Sequence, residues 1–128
     1  MMKTPNTRIA YLYRDASNYK AAGEVIVAGQ ITFRQLSACL DSGEFFIPQQ
    51  VGWEALQSGV AAYSGGQLNE DDHVWHELRA EDLAPTDAEP TLPCSARDVL
   101  RAFTRAHAEG WNVVRYSHEL GLSPEDKP

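Results

Sequence analysis

"RIAYLYRDA", residues 8–16, decides the fold. Ile9, Tyr11 and Tyr13 fall on one side of an extended chain, and Ala10, Leu12 and Arg14 on the other. Side chains alternate along a strand with a period of two, and aromatic and β-branched residues favour that conformation. The stretch predicts a half-buried β-strand. "SNYKAAG" (17–23) reads as a connecting loop, and "EVIVAG" (24–29) as a short, buried second strand. The pair predicts an antiparallel hairpin with a longer loop.

Two helices follow from local signals. Thr32 and Gln35 have capping-box spacing, Phe33, Leu36, Cys39 and Leu40 form one helical stripe, and Gly43 is placed to end it, so a helix is predicted over about 33–42. Ser95 and Asp98 open a second helix in the same way, with Val99, Leu100, Phe103 and Ala106 as its apolar stripe and Gly110 as its stop.

The remaining segments are less regular. In "GEFFIPQQVGWEALQSG" (43–59), Phe45–Ile47 suggest a short strand, Pro48 a turn, and Trp53–Leu56 a helical turn. "YSGGQLNEDD" (63–72) is a turn-rich connector. "HVWHELRAEDL" (73–83) begins as a strand, with Val74, His76 and Leu78 facing one way and His73, Trp75 and Glu77 the other. The three prolines of "APTDAEPTLP" (84–93) argue for a loop, and "WNVVRYS" (111–117) for a last strand before a frayed tail. Strands mixed with two helices predict an α+β fold: one domain over 1–128, a mainly antiparallel sheet of about four strands with two helices on one face. A subdivision into a core (1–83), the 84–93 loop and a helix-strand appendage (94–128) is the alternative, but about 40 residues rarely fold alone.

Composition narrows the function. The chain has 128 residues and a net charge of −7. Between Asn69 and Glu89 stand eight acids (Glu70, Asp71, Asp72, Glu77, Glu81, Asp82, Asp87, Glu89) and one base, Arg79, so this window carries the whole excess. Direct nucleic-acid binding through a basic face is not expected, whereas a basic partner, a cation or a solubilising role fits the balance. No stretch reaches the roughly 20 apolar residues of a membrane helix. No secretory leader is read at the N-terminus, and Cys39 and Cys94 form no CxxC, so reduced thiols and a cytoplasmic location are expected.

"DDHVWHEL" (71–78) is the main candidate for chemistry. His73 and His76 with nearby carboxylates suggest a metal-dependent hydrolase or nuclease. Zinc needs three or four converging ligands, however, and on a strand these two histidines point to opposite faces. A half-buried acidic strand is the simpler reading, and no cofactor is expected. The second candidate is "YLYRDASNYK" (11–20), where Tyr13, Arg14, Asn18 and Lys20 could line a small-ligand site. The third is the aromatic set Phe45, Phe46 and Trp53, read as core. No nucleophile elbow, P-loop or dinucleotide fingerprint is present.

"YLYRDASNYK", "GEFFIPQQVGW" and "DDHVWHEL" together resemble a group of small bacterial proteins of similar length, described only as hypothetical. The likeness spans roughly residues 8–80. It implies a bacterial cytoplasmic protein carried on mobile elements, and no activity, cofactor or catalytic residue.

The function expected from the sequence is a non-enzymatic protein-interaction module. Its contact face would be acidic and tryptophan-bearing: Asp71, Asp72, Trp75, Glu77, Glu81 and Asp82. A protein partner, self-association through a strand edge, and mimicry of nucleic-acid phosphates are versions of that expectation. The metal-dependent hydrolase and the small-ligand binder are the alternatives.

Overall fold

A computed structural model describes residues 5–61, 65–69 and 71–122. Glu70, positions 62–64 of the connector, and the two chain ends (1–4 and 123–128) lie outside the described residues. The protein is α+β. Its elements are β1 (Asn6–Arg14), β2 (Lys20–Val27), α1 (Phe33–Ser37), β3 (Phe45–Phe46), α2 (Gln57–Ala61), β4 (His76–Glu77), β5 (Leu83–Thr86), α3 (Ala96–Glu109) and α4 (Val113–Glu119), with 3-10 turns at Pro48–Val51 and Ala80–Asp82.

β1 is the spine of the sheet. The order is β2-β1-β4-β3, with β5 also on β1, and all these pairs are antiparallel. β4 lies beside Leu12 and Tyr13, and β5 beside Asn6–Ile9. The alternation read from the sequence holds: Ile9, Tyr11 and Tyr13 are buried, and the residues between them half-buried.

β2 starts four residues before the predicted run, and the hairpin loop shrinks to 15–19. The Asp15 side chain accepts hydrogen bonds from the main-chain N–H groups of Ser17 (3.0 Å) and Tyr19 (2.9 Å), and Asn18 adopts a positive φ of 69°. This Asx-type closure lets "KAAG" join the ladder. Gly23 lets Leu56 pack directly on the strand, because a Cβ would lie 2.9 Å from a methyl group of Leu56.

Both predicted capping boxes form, at Thr32/Gln35 and Ser95/Asp98. The first helix is shorter than predicted, ending at Ser37 in a series of turns. Trp53–Leu56 is irregular, and the helical turn comes later, at α2. α1, α3 and the sheet share one core, in which Phe103 packs on Phe46 and Trp53 at ring distances of 5.5 and 5.3 Å.

Two expectations fail for physical reasons. Leu83–Thr86 is a strand despite Pro85. Ile26 turns its N–H and C=O outward, to Thr91, so Arg8↔Ile26 is a non-hydrogen-bonded pair and Thr7 directs its main chain at β2. Pro85 sits opposite Thr7 on an edge strand, where β1 asks no donor of it. Residues 113–119 are helical, not extended. Asn112 caps Arg115 N–H (3.0 Å), and Val113, Tyr116 and Leu120 pack against the Ile47–Val74–Trp75 cluster. The cap and this helically spaced face override the strand preference of Val113 and Val114.

Candidate functional site

The histidine-bearing segment lies inside the protein. Asp72 to Leu78 are all buried, and only His76–Glu77 pair as a strand. Tyr13 organises them. Its hydroxyl donates to Asp72 Oδ1 at 2.5 Å and accepts the His73 N–H at 3.3 Å. Its ring packs 5.2 Å from the His73 imidazole and 5.1 Å from that of His76. The second oxygen of Asp72 accepts the Asn69 N–H at 2.9 Å. Burial, reinforced by the bond to Asp72, raises the Tyr13 hydroxyl far above its ordinary value, so it stays a donor.

Both histidines have main-chain partners on both ring nitrogens. His73 Nδ1 accepts the Trp75 N–H (3.0 Å), so Nε2–H donates to Arg14 C=O (2.7 Å). His76 Nε2 accepts the Leu56 N–H (3.0 Å), so Nδ1–H donates to Val74 C=O (3.1 Å). Burial pushes His76 down to about 3. Neutral imidazoles with no nitrogen to offer do not fit a metal site. Among the described residues, no group of three His, Cys, Asp or Glu is placed to hold an ion.

The acidic, tryptophan-bearing face predicted from the sequence does not assemble. Asp72, Trp75 and Glu77 are buried, while Asp71, Glu81 and Asp82 are at least partly accessible. Trp75 packs with Ile47 and Val74 rather than facing solvent. Glu77 receives Arg14 Nε at 3.0 Å and Arg79 Nη2 at 2.8 Å. Asp71 lies at the Arg14 end of β1, tied to Ser17, whereas Glu81 and Asp82 immediately precede Leu83, which pairs with Ile9. Arg14 and Ile9 are roughly 17 Å apart along an extended chain.

Nor do Tyr13, Arg14, Asn18 and Lys20 form a pocket. Tyr13 points into the core and Arg14 lies on the other face of β1, bonded to Glu77 and to Asn18 Oδ1 (2.6 Å). Asn18 and Lys20 are exposed.

A concavity lies elsewhere, between α3, α4 and the Pro48–Val51 turn. It is a groove of about 500 Å³. Arg101, Arg105 and Arg115 line it, with Asp98, Glu109 and Tyr116, and Ala102 and Val51 contribute small apolar surfaces. Arg97, Arg101 and Arg105 recur every four residues on exposed positions of α3, a row roughly 12 Å long. Arg97 and Arg101 form no ion pair among the described residues, while Arg105 and Arg115 hold exposed i,i+4 partners, Glu109 and Glu119. Such solvated pairs are weak and exchange readily.

The frame of the groove is fixed. The Gln50 side chain donates to Gly110 C=O (3.1 Å) and accepts the Asn112 N–H (2.8 Å), clamping both sides of the α3–α4 corner. Trp111 Nε1–H donates to Cys39 C=O (2.9 Å), tying that corner to the core. Sequence reading missed this site. The arginine spacing on α3 was visible in "SARDVLRAFTRAHAEG", but Arg115 joins it only because 113–119 is helical.

The chain matches no family model, no curated protein and no solved structure. Among the described residues, no helix is long and apolar enough to cross a membrane.

Proposed function

We propose that the protein is a non-enzymatic interaction module that engages a protein partner through the arginine face of α3 and α4. The observation that carries this reading is the groove: three arginines around a concavity beside the Gln50 clamp, on a chain whose net charge is −7. Four of the chain's 11 basic residues, Arg97, Arg101, Arg105 and Arg115, lie within this one unit. Arginine is suited to such surfaces because its planar fork pairs with carboxylates in two-point geometry. The groups that could have served as acids, bases or metal ligands in 71–78 have internal partners instead. The same reading places the protein in the bacterial cytoplasm, where Cys39 and Cys94 stay reduced.

Cross-linking in extract of the native host tests it. The wild type should yield a discrete partner with cross-links on α3 and α4, and Arg101→Glu/Arg115→Glu should lose it. A partner retained by that variant, or linked to the β1–β2 side, contradicts the reading.

A further inference from the structure

The lining of the groove says what kind of anion it takes. Asp98 and Glu109 stand among the arginines, so a dense polyanion such as nucleic acid or polyphosphate meets repulsion along with attraction. Ala102 and Val51 add apolar surface that such a polyanion cannot use. A short peptide segment with one or two carboxylates beside small apolar residues fits better.

This chain presents such a segment. Asp87-Ala88-Glu89-Pro90 carries exposed carboxylates at Asp87 and Glu89. The segment is pinned on both sides. Ala88 C=O accepts Asn6 Nδ2–H (3.0 Å), Ala88 N–H donates to Thr86 Oγ1 (3.2 Å), and Thr91 N–H donates to Ile26 C=O (2.8 Å). No ion pair holds Asp87 or Glu89 among the described residues. A loop ordered before binding loses little conformational entropy on docking.

We propose that the α3–α4 groove receives the Asp87–Glu89 loop of a second copy of the chain, the two carboxylates pairing with Arg101 and Arg115. This rests on the arginine face being the partner-binding surface. Two different patches meet, so either two copies exchange loops reciprocally about a two-fold axis, or the contact is heterologous and a ring or chain forms.

Sedimentation velocity on the full chain tests the proposal, over a concentration series at low salt and at about 0.5 M salt, where solvent-exposed ion pairs are largely screened. The variants are Arg101→Glu/Arg115→Glu, Asp87→Lys/Glu89→Lys and, as a conservative control, Arg101→Lys/Arg115→Lys. The wild type should move from the 14.2 kDa monomer toward larger species with concentration at low salt and return to monomer at high salt. Each charge-reversed variant alone should stay monomeric with an unchanged melt. Mixing the two should restore association, because the reversed charges are again complementary, and the lysine control should associate more weakly than the wild type. A wild type that is monomeric throughout, or an association that survives both reversals, overturns the proposal. If the wild type is monomeric but the host partner is lost in the arginine variant, the second copy is excluded and the partner-binding reading stands. If the arginine variant also keeps its host partner, both fail.

Discussion

Residues 71–79 and the outer face of α3 and α4 are both rich in charge, and they use it in opposite ways. In 71–79, Asp72, His73, His76 and Glu77 are buried and bonded to partners distant in sequence, among them Tyr13, Arg14 and Leu56. On α3 and α4, the arginines are exposed, and among the described residues they form no ion pair or are held by weak i,i+4 carboxylates. Buried polar groups are costly to leave unmatched, so the first arrangement fixes one packing of the sheet. Solvated charges contribute little to stability, so the second is free to serve binding. Residue types that suggest chemistry can therefore be scaffold, while an ordinary-looking helix surface is the one we propose for binding.

The largest expected contrast comes from acid. His76 is held near 3 when folded and returns to about 6.5 when unfolded. Between those values the unfolded chain binds the extra proton, so this contribution to stability is complete above pH 6.5 and shrinks as pH falls toward 3. A shift of that size corresponds to on the order of 5 kcal/mol at the acid end. Urea melts at pH 7, 5 and 4 should show a falling midpoint, and His76→Gln should flatten the dependence. A wild-type midpoint that is level across this range would show His76 to be accessible.

The next effect is at the buried carboxylate. Asp72 accepts from both Tyr13 and the Asn69 N–H, and an amide offers only one acceptor atom. Asp72→Asn and Tyr13→Phe should each cost about 2 kcal/mol, read from denaturant midpoints. The double variant should cost less than the two singles added, because they remove one shared bond. Strict additivity would mean that the two groups do not act together.

A smaller change is expected at Glu77→Gln. Its two arginine partners are 31% and 42% exposed and can turn to water, so a loss of about 1 kcal/mol, decreasing with added salt, is expected in the same measurement. A salt-independent loss would mean that the arginines matter through packing.

Sequence legibility follows the same division. The two capping boxes and the alternation of β1 were readable because their determinants lie within a few residues of one another. The burial of Asp72 was not, because its partner Tyr13 is 59 residues away. Pro85 argued locally against β5, and only the register with Thr7 shows why it is tolerated there. Val113 and Val114 argued locally for a strand, and the Asn112 cap together with the Ile47–Trp75 surface explains the helix. The arginine row on α3 could be read from spacing alone, but the groove it borders needed α4 and the Gln50 clamp.

Thermal melting of Arg101→Glu/Arg115→Glu beside Asp72→Asn tests most directly whether scaffold and binding surface are separate. The arginine variant should melt with the wild type, while the Asp72 variant melts several degrees lower. An arginine variant destabilised as much as Asp72→Asn would make those arginines part of the scaffold and contradict the account.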